Sequence, residues 1–273
     1  MVLSKFKQGQ VKKRFSEIDE FGEYKNFIHF LNRVNELKTT QAYKKRSLDL
    51  LEIKKGDKVL DAGCGSGADV HNILSKIGLS GQLNGIDFSE QMVNFCRVTF
   101  KAGNINFMQA PVEKIPFEDH YFDACKVDRV LMHTVDPRVA IQELLRVLKP
   151  GGRLVITEPD WDTILLPDLN SKINQKIVDY FNYRTNNGRI GRKLKSLTSG
   201  FKFKESHFEP FIMEFFQYET LNVGLFLENT LMEMLSVDQE LKQEITQWLE
   251  EMKTINEHEF YGSLMMFILR LRK

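Results

Sequence analysis

A nine-residue stretch at positions 59–67, Val-Leu-Asp-Ala-Gly-Cys-Gly-Ser-Gly, constrains the fold of this chain more than any other feature. An apolar pair leads into Asp61, three glycines then alternate with small residues, and helix-compatible residues follow over 68–74. Glycine permits a positive φ and lets the backbone approach a ligand because it has no Cβ. A helix that starts here offers free N–H groups to a polar or anionic ligand. The stretch therefore predicts a buried strand, a tight turn and a helix that form a binding site together.

Strand-like and helix-like segments alternate from residue 58 to about residue 160. Ser89 is a suitable helix N-cap, and Asp136 precedes a proline that suits the first position of a helix. This alternation predicts a parallel sheet with helices on both faces. The predicted strands are 58–62, 82–86, 105–109, 122–127 and 153–157, and the first helix of this region covers about 67–77.

The two ends of the chain carry a mostly helical pattern. Phe27, Phe30, Leu31 and Val34 fall on one helical face. Further helices are predicted over 41–51, about 170–183, 189–199 and most of 221–256, and further strands over 201–208 and 261–271. The sequence contains no internal repeat or long linker, so we expect one domain with a helical cap.

The glycine loop is compatible with a dinucleotide. Gly63, Gly65 and Ala68 match the pattern G-x-G-x-x-G/A, and Asp87 lies 20 residues after Gly67, where a ribose-binding acid is expected. On these residues alone, an NAD-dependent enzyme is one interpretation. A strand-turn-helix corner without a ligand is another.

Three features of the same region favour a different nucleoside. Asp61 stands just before the first glycine, where a carboxylate can accept a hydrogen bond from an ammonium group but offers nothing to a pyrophosphate. The third glycine is Gly67, which makes the pattern G-x-G-x-G, and Gly-Ile-Asp-Phe-Ser follows at 85–89. Together these residues resemble the first motifs of the class I S-adenosylmethionine (SAM) methyltransferases.

Two further motifs resemble the ubiquinone and menaquinone biosynthesis type of methyltransferase. They are Ile-Pro-Phe-Glu-Asp at 115–119 with Tyr-Phe-Asp at 121–123, and Leu-Lys-Pro-Gly-Gly at 148–152. The resemblance covers about 45–160 well and the ends more weakly, and it is specific for SAM binding rather than for a substrate. It implies an α/β fold with a Rossmann-like, doubly wound sheet of seven strands, mostly parallel with an antiparallel last strand, under a helical cap.

The resemblance also divides the single domain, 1–273, into four parts. We expect an N-terminal helical cap over 1–56 and a SAM-binding core over 57–160. A lid insertion would follow over 161–188. The C-terminal part, 189–273, would complete the core and add a helical segment on the substrate side.

The predicted SAM contacts lie where strands end at the ligand edge of the sheet. Asp87 is expected to accept hydrogen bonds from both ribose hydroxyls, and Phe88 to cover the adenine ring. Family members have an acid where this chain has Pro111, which leaves backbone or apolar contacts there. One cation of the 44–46 cluster, Arg46, is expected near the SAM carboxylate, with a solvated helix face as the alternative. The predicted contacts are Asp61, Ala62, Gly63, Cys64, Gly65, Gly67, Asp87, Phe88, Ser89, Met92, Ala110, Pro111, Val112, Asp128, Arg129, Val130, His133 and Arg46.

The predicted catalytic residues are His133 and Asp160. A neutral histidine can act as a general base on an acidic hydroxyl or amine, although a structural contact would explain His133 equally. The carboxylates at 158, 160 and 162 could contact a substrate, cap a helix or bind Mg²⁺. The remaining histidines do not have the spacing of metal ligands, and we predict no metal site. The predicted substrate contacts are Tyr24, Phe27, His133, Asp160, Trp161 and Arg192, of which Tyr24 and Phe27 also suit simple packing.

Composition excludes several classes of partner. The net charge is +1, so nothing global draws the chain to nucleic acid or to a membrane. The three cysteines lack paired or metal-like spacing, which is typical of reduced thiols in the cytoplasm. The N-terminus has no apolar signal region, and the apolar run 264–269 is too short to span a bilayer.

We therefore expect a cytoplasmic SAM-dependent methyltransferase of a small organic molecule, which releases S-adenosylhomocysteine. The acceptor atom, oxygen, nitrogen or carbon, is left open, as is a homodimer. An NAD-dependent oxidoreductase and a non-catalytic SAM-binding protein remain the alternatives. Basic clusters at 12–14, 44–46 and 189–195 keep an RNA acceptor open, although the near-neutral total charge argues against it.

Overall fold

The computed structural model describes residues 24–273, so the predicted cap residues 1–23 lie outside the described part, as does the side chain of Tyr24. The strands are β1 Lys58–Ala62, β2 Gln82–Asp87, β3 Ile105–Gln109, β4 Phe122–Asp128, β5 Leu148–Pro159, β6 Glu205–Phe215 and β7 Gly262–Arg272. The helices are α1 Tyr24–Glu36, α2 Lys38–Leu51, α3 Val70–Ile77, α4 Glu90–Thr99, α5 Pro137–Val147, α6 Ser171–Tyr183, α7 Ile190–Leu197, α8 Tyr218–Leu225, α9 Leu227–Val237 and α10 Lys242–Thr254. Short 3-10 turns cover Trp161–Thr163 and Gln239–Leu241.

The seven strands form one sheet in the order β3-β2-β1-β4-β5-β7-β6. Neighbours from β3 to β5 pair in parallel, while β7 runs antiparallel to both β5 and β6. This arrangement confirms the predicted seven-stranded, Rossmann-like sheet with an antiparallel last strand. The chain order reverses between β1 and β4, and in sheets of this kind that reversal opens a crevice at the carboxyl ends of the strands.

Two helix starts follow the predicted caps. The Ser89 side chain accepts a hydrogen bond from Met92 N at the start of α4. Asp136 accepts from Arg138 N and Val139 N, and Pro137 occupies the first turn of α5. Both helices therefore begin where unpaired N–H groups find a side-chain acceptor.

Several predicted boundaries were wrong, and three of the differences have a clear physical reason. Helix α3 begins at Val70 rather than near residue 67, because Gly65 and Gly67 take positive φ values that a right-handed helix excludes. Strand β5 begins at Leu148 rather than at Arg153, because Gly151 and Gly152 pair with the backbone of Lys273. Strand β6 covers Glu205–Phe215 instead of 201–208. It continues through Pro210 because it lies at the sheet edge, where proline is tolerated.

The hydrophobic core is built on both sides of the sheet and continues into the cap. Two clusters pack against the faces of the central strands, around Ile141 and Leu144 on one side and around Ile73 and Ile77 on the other. A third cluster joins α6, α8, α9 and α10 to β7 and contains the fully buried Trp248. Within residues 24–273, none of the helices has the length and apolar character needed to cross a bilayer.

Candidate active site

A cavity of about 750 Å³ lies at the carboxyl ends of the parallel strands. Its floor comes from the ends of β1, β2 and β4 and from the loop after β3. Its other side comes from cap elements: α1, Trp161 after β5, the residues 184–186 after α6, and the residues 224–226 at the end of α8. The sheet core and the cap thus enclose one cavity together.

The glycine loop after β1 needs its glycines for two different reasons. Gly63 has φ +76°, and a Cβ there would lie 2.1 Å from Val130 Cγ2, inside van der Waals contact. Gly65 N donates to the Asp87 carboxylate at 2.9 Å, and both residues line the cavity. Gly67 lies outside the cavity, and a Cβ there would meet the Phe100 ring at 2.4 Å. Gly67 therefore serves packing, whereas Gly63 and Gly65 form part of the wall.

The end of β2 presents a carboxylate beside an exposed aromatic ring. Asp87 accepts hydrogen bonds from Gly65 N and Ser89 N, both at 2.9 Å, and these bonds fix its carboxylate at the cavity. Phe88 is 58% exposed at the same edge, and Met92 is buried in the wall. A polar anchor beside a ring is the arrangement that a nucleoside needs.

Beneath the glycine loop lies a buried charge cluster of three acids and two lysines: Asp61, Asp69, Asp128, Lys44 and Lys126. Lys44 Nζ lies 2.8 Å from both Asp69 Oδ2 and Asp128 Oδ2. Lys126 Nζ lies 2.7 Å from Asp69 Oδ2 and 3.4 Å from Asp128 Oδ2. Burial alone would raise the pKa of Asp69, but Lys126 and Lys44 lower it to about 2. The same two lysines hold the pKa of Asp128 far below its usual range.

Asp61 differs from the other two acids. It lies opposite Lys126 in the β1–β4 register, yet its carboxylate accepts no hydrogen bond from any residue in the range 24–273. Burial raises the pKa of Asp61 to about 6, against the opposing effect of Lys126. Because Asp61 lines the cavity, this buried acceptor suits a cationic donor from a ligand.

The turn after β4 is held by a carboxylate from the next strand. Glu158, fully buried at the end of β5, accepts hydrogen bonds from Val130 N at 2.8 Å and Leu131 N at 2.6 Å, with Met132 N at 3.4 Å. Burial raises the pKa of Glu158 to about 8, although these backbone bonds oppose the shift. For the carboxylates at 158–162 the sequence left substrate contact, Mg²⁺ and a capping role open, and Glu158 takes a structural role that fixes the cavity wall.

His133 lines the cavity as a neutral imidazole. Burial lowers the pKa of His133 to about 3, and the nearby charges of Arg184 and Arg129 act in the same direction. Asn186 Nδ2 donates to the His133 carbonyl at 2.7 Å, which joins the β4 turn to the segment after α6. An imidazole with so low a pKa is a weak base, so this geometry favours a hydrogen-bonding role over proton abstraction.

Several predicted site residues lie outside the cavity. Arg46 is 44% exposed, and its Nε lies 2.6 Å from Glu209 Oε1. Lys44 lines the cavity instead, because it is two residues earlier and therefore on the opposite side of α2. Asp160 is fully buried, and its carboxylate accepts hydrogen bonds from Arg192 and from Asp162 N. Neither Asp160 nor Arg192 lines the cavity. Ala62 is buried in β1. Geometry thus assigns Asp160 to capping, because its carboxylate is already engaged.

The other predicted contacts meet in the cavity. They are Asp61, Gly63, Cys64, Gly65, Asp87, Phe88, Ser89, Met92, Ala110, Pro111, Val112, Asp128, Arg129, Val130, His133, Phe27 and Trp161. Sequence reasoning missed Lys126, Phe30, Arg184 and Phe226. A lysine inside the apolar strand run 122–127 was a visible signal, while nothing local marked the other three. Within residues 24–273, no three His, Cys, Asp or Glu side chains are grouped to hold a metal ion.

A family model described as "Methyltransferase domain" matches residues 53–266. The chain belongs to this methyltransferase family. Membership confirms the resemblance to class I SAM-dependent methyltransferases, and SAM is the cofactor of such enzymes. The glycine loop, Asp61 and Asp87 all fall within the matched range.

Two curated relatives illustrate the similarity. The demethylmenaquinone methyltransferase of Staphylococcus carnosus is 37% identical over 136 residues, which are 49% of this chain and 56% of the relative. An uncharacterized 37.1 kDa protein in transposon TN4556 of Streptomyces fradiae is 36% identical over 179 residues, 62% of this chain and 50% of that protein. The chain therefore spans about half the length of these curated relatives.

Solved structures confirm the methyltransferase fold. The YcgJ protein of Bacillus subtilis has a TM-score of 0.58 at 18% identity, over 84% of this chain and 98% of that one. Geranyl diphosphate C-methyltransferase of Streptomyces coelicolor A3(2) has a TM-score of 0.57 at 16% identity, over 86% and 76% of the two chains. That structure contains Mg²⁺, geranyl-S-thiolodiphosphate and S-adenosyl-L-homocysteine. At these identities the likeness extends to the fold alone.

Proposed function

We propose that this chain transfers the methyl group of SAM to a small organic acceptor. The observation that carries the proposal is the division of the cavity into two unlike halves. One half combines the glycine loop with the carboxylates of Asp61 and Asp87. The other half is formed by the cap and is mostly aromatic and aliphatic. A polar nucleoside and an apolar acceptor would fit these halves respectively.

The residues present suit SAM. The buried carboxylate of Asp61 would accept from the ammonium group, and Asp87 would accept from the ribose hydroxyls. Phe88 and Met92 would cover the adenine ring. Gly63 and Gly65 would form the wall along the nucleoside, since both line the cavity, and the missing Cβ of Gly63 leaves room for Val130 in the same wall.

SAM supplies an electrophilic methyl group on a sulfonium, so the chain has little covalent chemistry to perform. With both molecules bound, the acceptor atom would take up the methyl group in line, the carbon–sulfur electron pair would stay on sulfur, and a proton carried by the acceptor atom would pass to solvent. The protein's tasks are to hold the two molecules in line and to exclude water, which together account for large rate enhancements. The cap elements around the second half suit both tasks.

Calorimetric titration with S-adenosylhomocysteine, followed by turnover of methyl-labelled SAM over a panel of acceptors, tests the proposal. Asp87→Asn should weaken S-adenosylhomocysteine binding by about tenfold or more, because a charge-assisted bond is lost. Asp49→Asn, a change of an exposed aspartate on α2, is the matched control and should leave binding unchanged. Binding of NAD in place of S-adenosylhomocysteine would overturn the choice of cofactor. Saturable binding without labelled product from any acceptor would instead favour a non-catalytic SAM-binding protein.

A further inference from the structure

The cap side of the cavity has a composition of its own. We call this surface the acceptor wall: Phe27, Phe30 and Leu31 of α1, Trp161, the residues 184–186 and the residues 224–226. Two of its rings lie against each other, with 4.1 Å between the centroids of Phe30 and Phe226. The Phe27 ring lies 5.8 Å from Phe30. Such a surface suits a flat apolar body.

The charge on the acceptor wall has one sign. Among its ten described residues, the charged side chain is that of Arg184. Arg184 is mostly buried; it donates to Thr230 Oγ1, and its Nη2 lies 3.5 Å from Glu233 Oε2. Glu233 itself does not line the cavity. Arg184 thus lines the cavity, while the carboxylate that pairs with it does not.

The carboxylates that line the cavity all belong to the sheet core. They follow β1, β2, β3 and β4, at Asp61, Asp69, Asp87, Glu113, Asp128 and Asp136. None comes from the acceptor wall, and His133 beside it stays neutral because burial and the two arginines oppose its protonation. Among residues 24–273, the acceptor wall therefore supplies hydrogen-bond donors and one cation, and the carboxylate of Glu233 pairs with that cation from outside the cavity.

This charge pattern selects among acceptors. At the acceptor wall the lining charge is that of Arg184, so a carboxylate or an ionised hydroxyl gains a charge-assisted contact there that a cationic amine does not. An acceptor that arrives deprotonated also needs no base: its oxyanion attacks the methyl carbon, the carbon–sulfur pair remains on sulfur, and a neutral ether or ester leaves with neutral S-adenosylhomocysteine. A buried arginine is well suited to bind such an oxygen in a charge-assisted way.

We propose that the acceptor is an organic anion with a flat apolar body, whose carboxylate or ionised hydroxyl oxygen contacts Arg184. This inference rests on the proposed function, because the acceptor wall faces the transferred methyl group only if SAM occupies the core half. It places the specificity of the reaction in the cap, which is the part of the chain that departs from the common SAM-binding core.

The test compares matched acids and neutral analogues on the protein loaded with S-adenosylhomocysteine. The probes are cinnamate, cinnamamide and, as an ionised hydroxyl, 4-nitrophenol above its pKa, each titrated to millimolar concentration. A charge-assisted contact predicts at least about tenfold tighter binding of cinnamate than of cinnamamide. Preference for cinnamate alone would assign a carboxylate, and binding of the nitrophenolate would assign an ionised hydroxyl. Equal binding of acid and amide, or no binding of either anion, overturns the proposal without a variant.

Arg184→Met combined with Glu233→Met removes the cation without leaving its counter-ion buried and unpaired. In this double variant, cinnamate and cinnamamide should bind with about equal affinity. The control is Arg189→Met, which changes an exposed arginine of the same segment that pairs with Asp162 outside the cavity; it should keep the preference. The affinity of the wild-type protein for S-adenosylhomocysteine separates the two proposals. If the wild-type protein does not bind this molecule, the proposed function itself is contradicted. A preference that survives in the double variant contradicts the role of Arg184.

Discussion

The ionised carboxylate of Asp61 lowers the stability of the folded protein but favours the binding of a cationic ligand. Its carboxylate is buried at the end of β1, accepts no hydrogen bond from the described residues, and has a pKa raised to about 6. An acid with a raised pKa in the folded state destabilises the fold once it ionises. The same ionised carboxylate is what an ammonium group requires. The site therefore keeps an unfavourable charge that a cationic ligand relieves.

Binding of S-adenosylhomocysteine should depend on pH through Asp61. Because the ammonium group binds the ionised carboxylate, affinity should be constant above pH 7. It should fall by up to about tenfold per pH unit below a pH of about 6. Calorimetric titrations from pH 5 to pH 8 measure this profile. Asp61→Asn should bind weakly at every pH, and an unchanged profile in that variant would assign the pH dependence to another group.

The free protein should gain stability when the charge at Asp61 is removed. The raised pKa means that the contribution of Asp61 to stability is present at low pH and is lost as the pH rises through 6. Asp61→Asn should therefore raise the free energy of unfolding at pH 8 by about 1–3 kcal/mol. Denaturant unfolding at pH 8 and pH 5 measures it, and the gain should fall to about half at pH 5, which lies between the ordinary carboxyl pKa and the raised pKa of Asp61. A loss of stability at pH 8 would instead show that Asp61 is needed to balance Lys126.

Gly63 can be tested against Gly78, a glycine with a similar φ. Gly63→Ala places a methyl group 2.1 Å from Val130 in addition to the strain of a positive φ, whereas Gly78 has φ +65° and open space around it. Gly78 also has ψ −170°, a combination that glycine alone adopts readily, so Gly78→Ala should cost about 1–3 kcal/mol for the backbone alone, and Gly63→Ala should cost clearly more and abolish cofactor binding. Thermal unfolding compares the two. Adding Val130→Ala should recover part of the loss, and equal costs without this rescue would exclude the overlap.

At the scale of the elements, sequence patterns predicted most strands and helices because apolar periodicity and caps are local. Ser89 and Asp136 marked the starts of α4 and α5, and the glycine loop marked the crevice. Long-range pairing was not predictable in this way: β6 continues past Pro210 because β7 lies beside it, and α2 presents Lys44 instead of Arg46 because its buried face is set by tertiary packing. The acceptor wall brings together residues from four distant segments, which no single local pattern could reveal.

The stability of the turn after β4 should depend on the hydrogen bonds that the carboxyl oxygens of Glu158 accept. Glu158→Ala leaves the N–H groups of Val130 and Leu131 buried without their acceptor, and should cost about 2–4 kcal/mol. Glu158→Gln keeps one acceptor oxygen, and should cost less than about 1 kcal/mol because the wild-type group is already near neutral with its pKa of about 8. Denaturant unfolding separates the two variants. Equal losses would show that charge, rather than hydrogen-bond geometry, holds the turn.

At the scale of the whole molecule, the N-terminal helices are joined to the sheet core by charges as well as by apolar packing. Lys44 of α2 bridges Asp69, before α3, and Asp128 at the end of β4. Phe30 of α1 meets Phe226 after α8, so segments nearly 200 residues apart form one wall. The cap is thereby connected to both halves of the cavity.

Lys44 should contribute far more to stability than its neighbour Lys45. Lys44→Met breaks two buried ion pairs and should cost about 2–4 kcal/mol, less than a full buried pair because Lys126 still contacts both acids. Lys45 is 78% exposed and pairs with Asp49 one turn away, so Lys45→Met should change stability by less than about 0.5 kcal/mol. Thermal unfolding and hydrogen exchange in α1 and α2 measure both variants. Similar small effects would mean that apolar packing alone holds these helices.

The turn that Glu158 holds spans both halves of the cavity, since Val130 touches the glycine loop while His133 adjoins the segment after α6. A single rigid wall shared by two ligands ties their affinities together: whatever factor the nucleoside adds to acceptor binding, the acceptor must return to the nucleoside. Such reciprocity would make a change in either molecule measurable as a change in the affinity of the other.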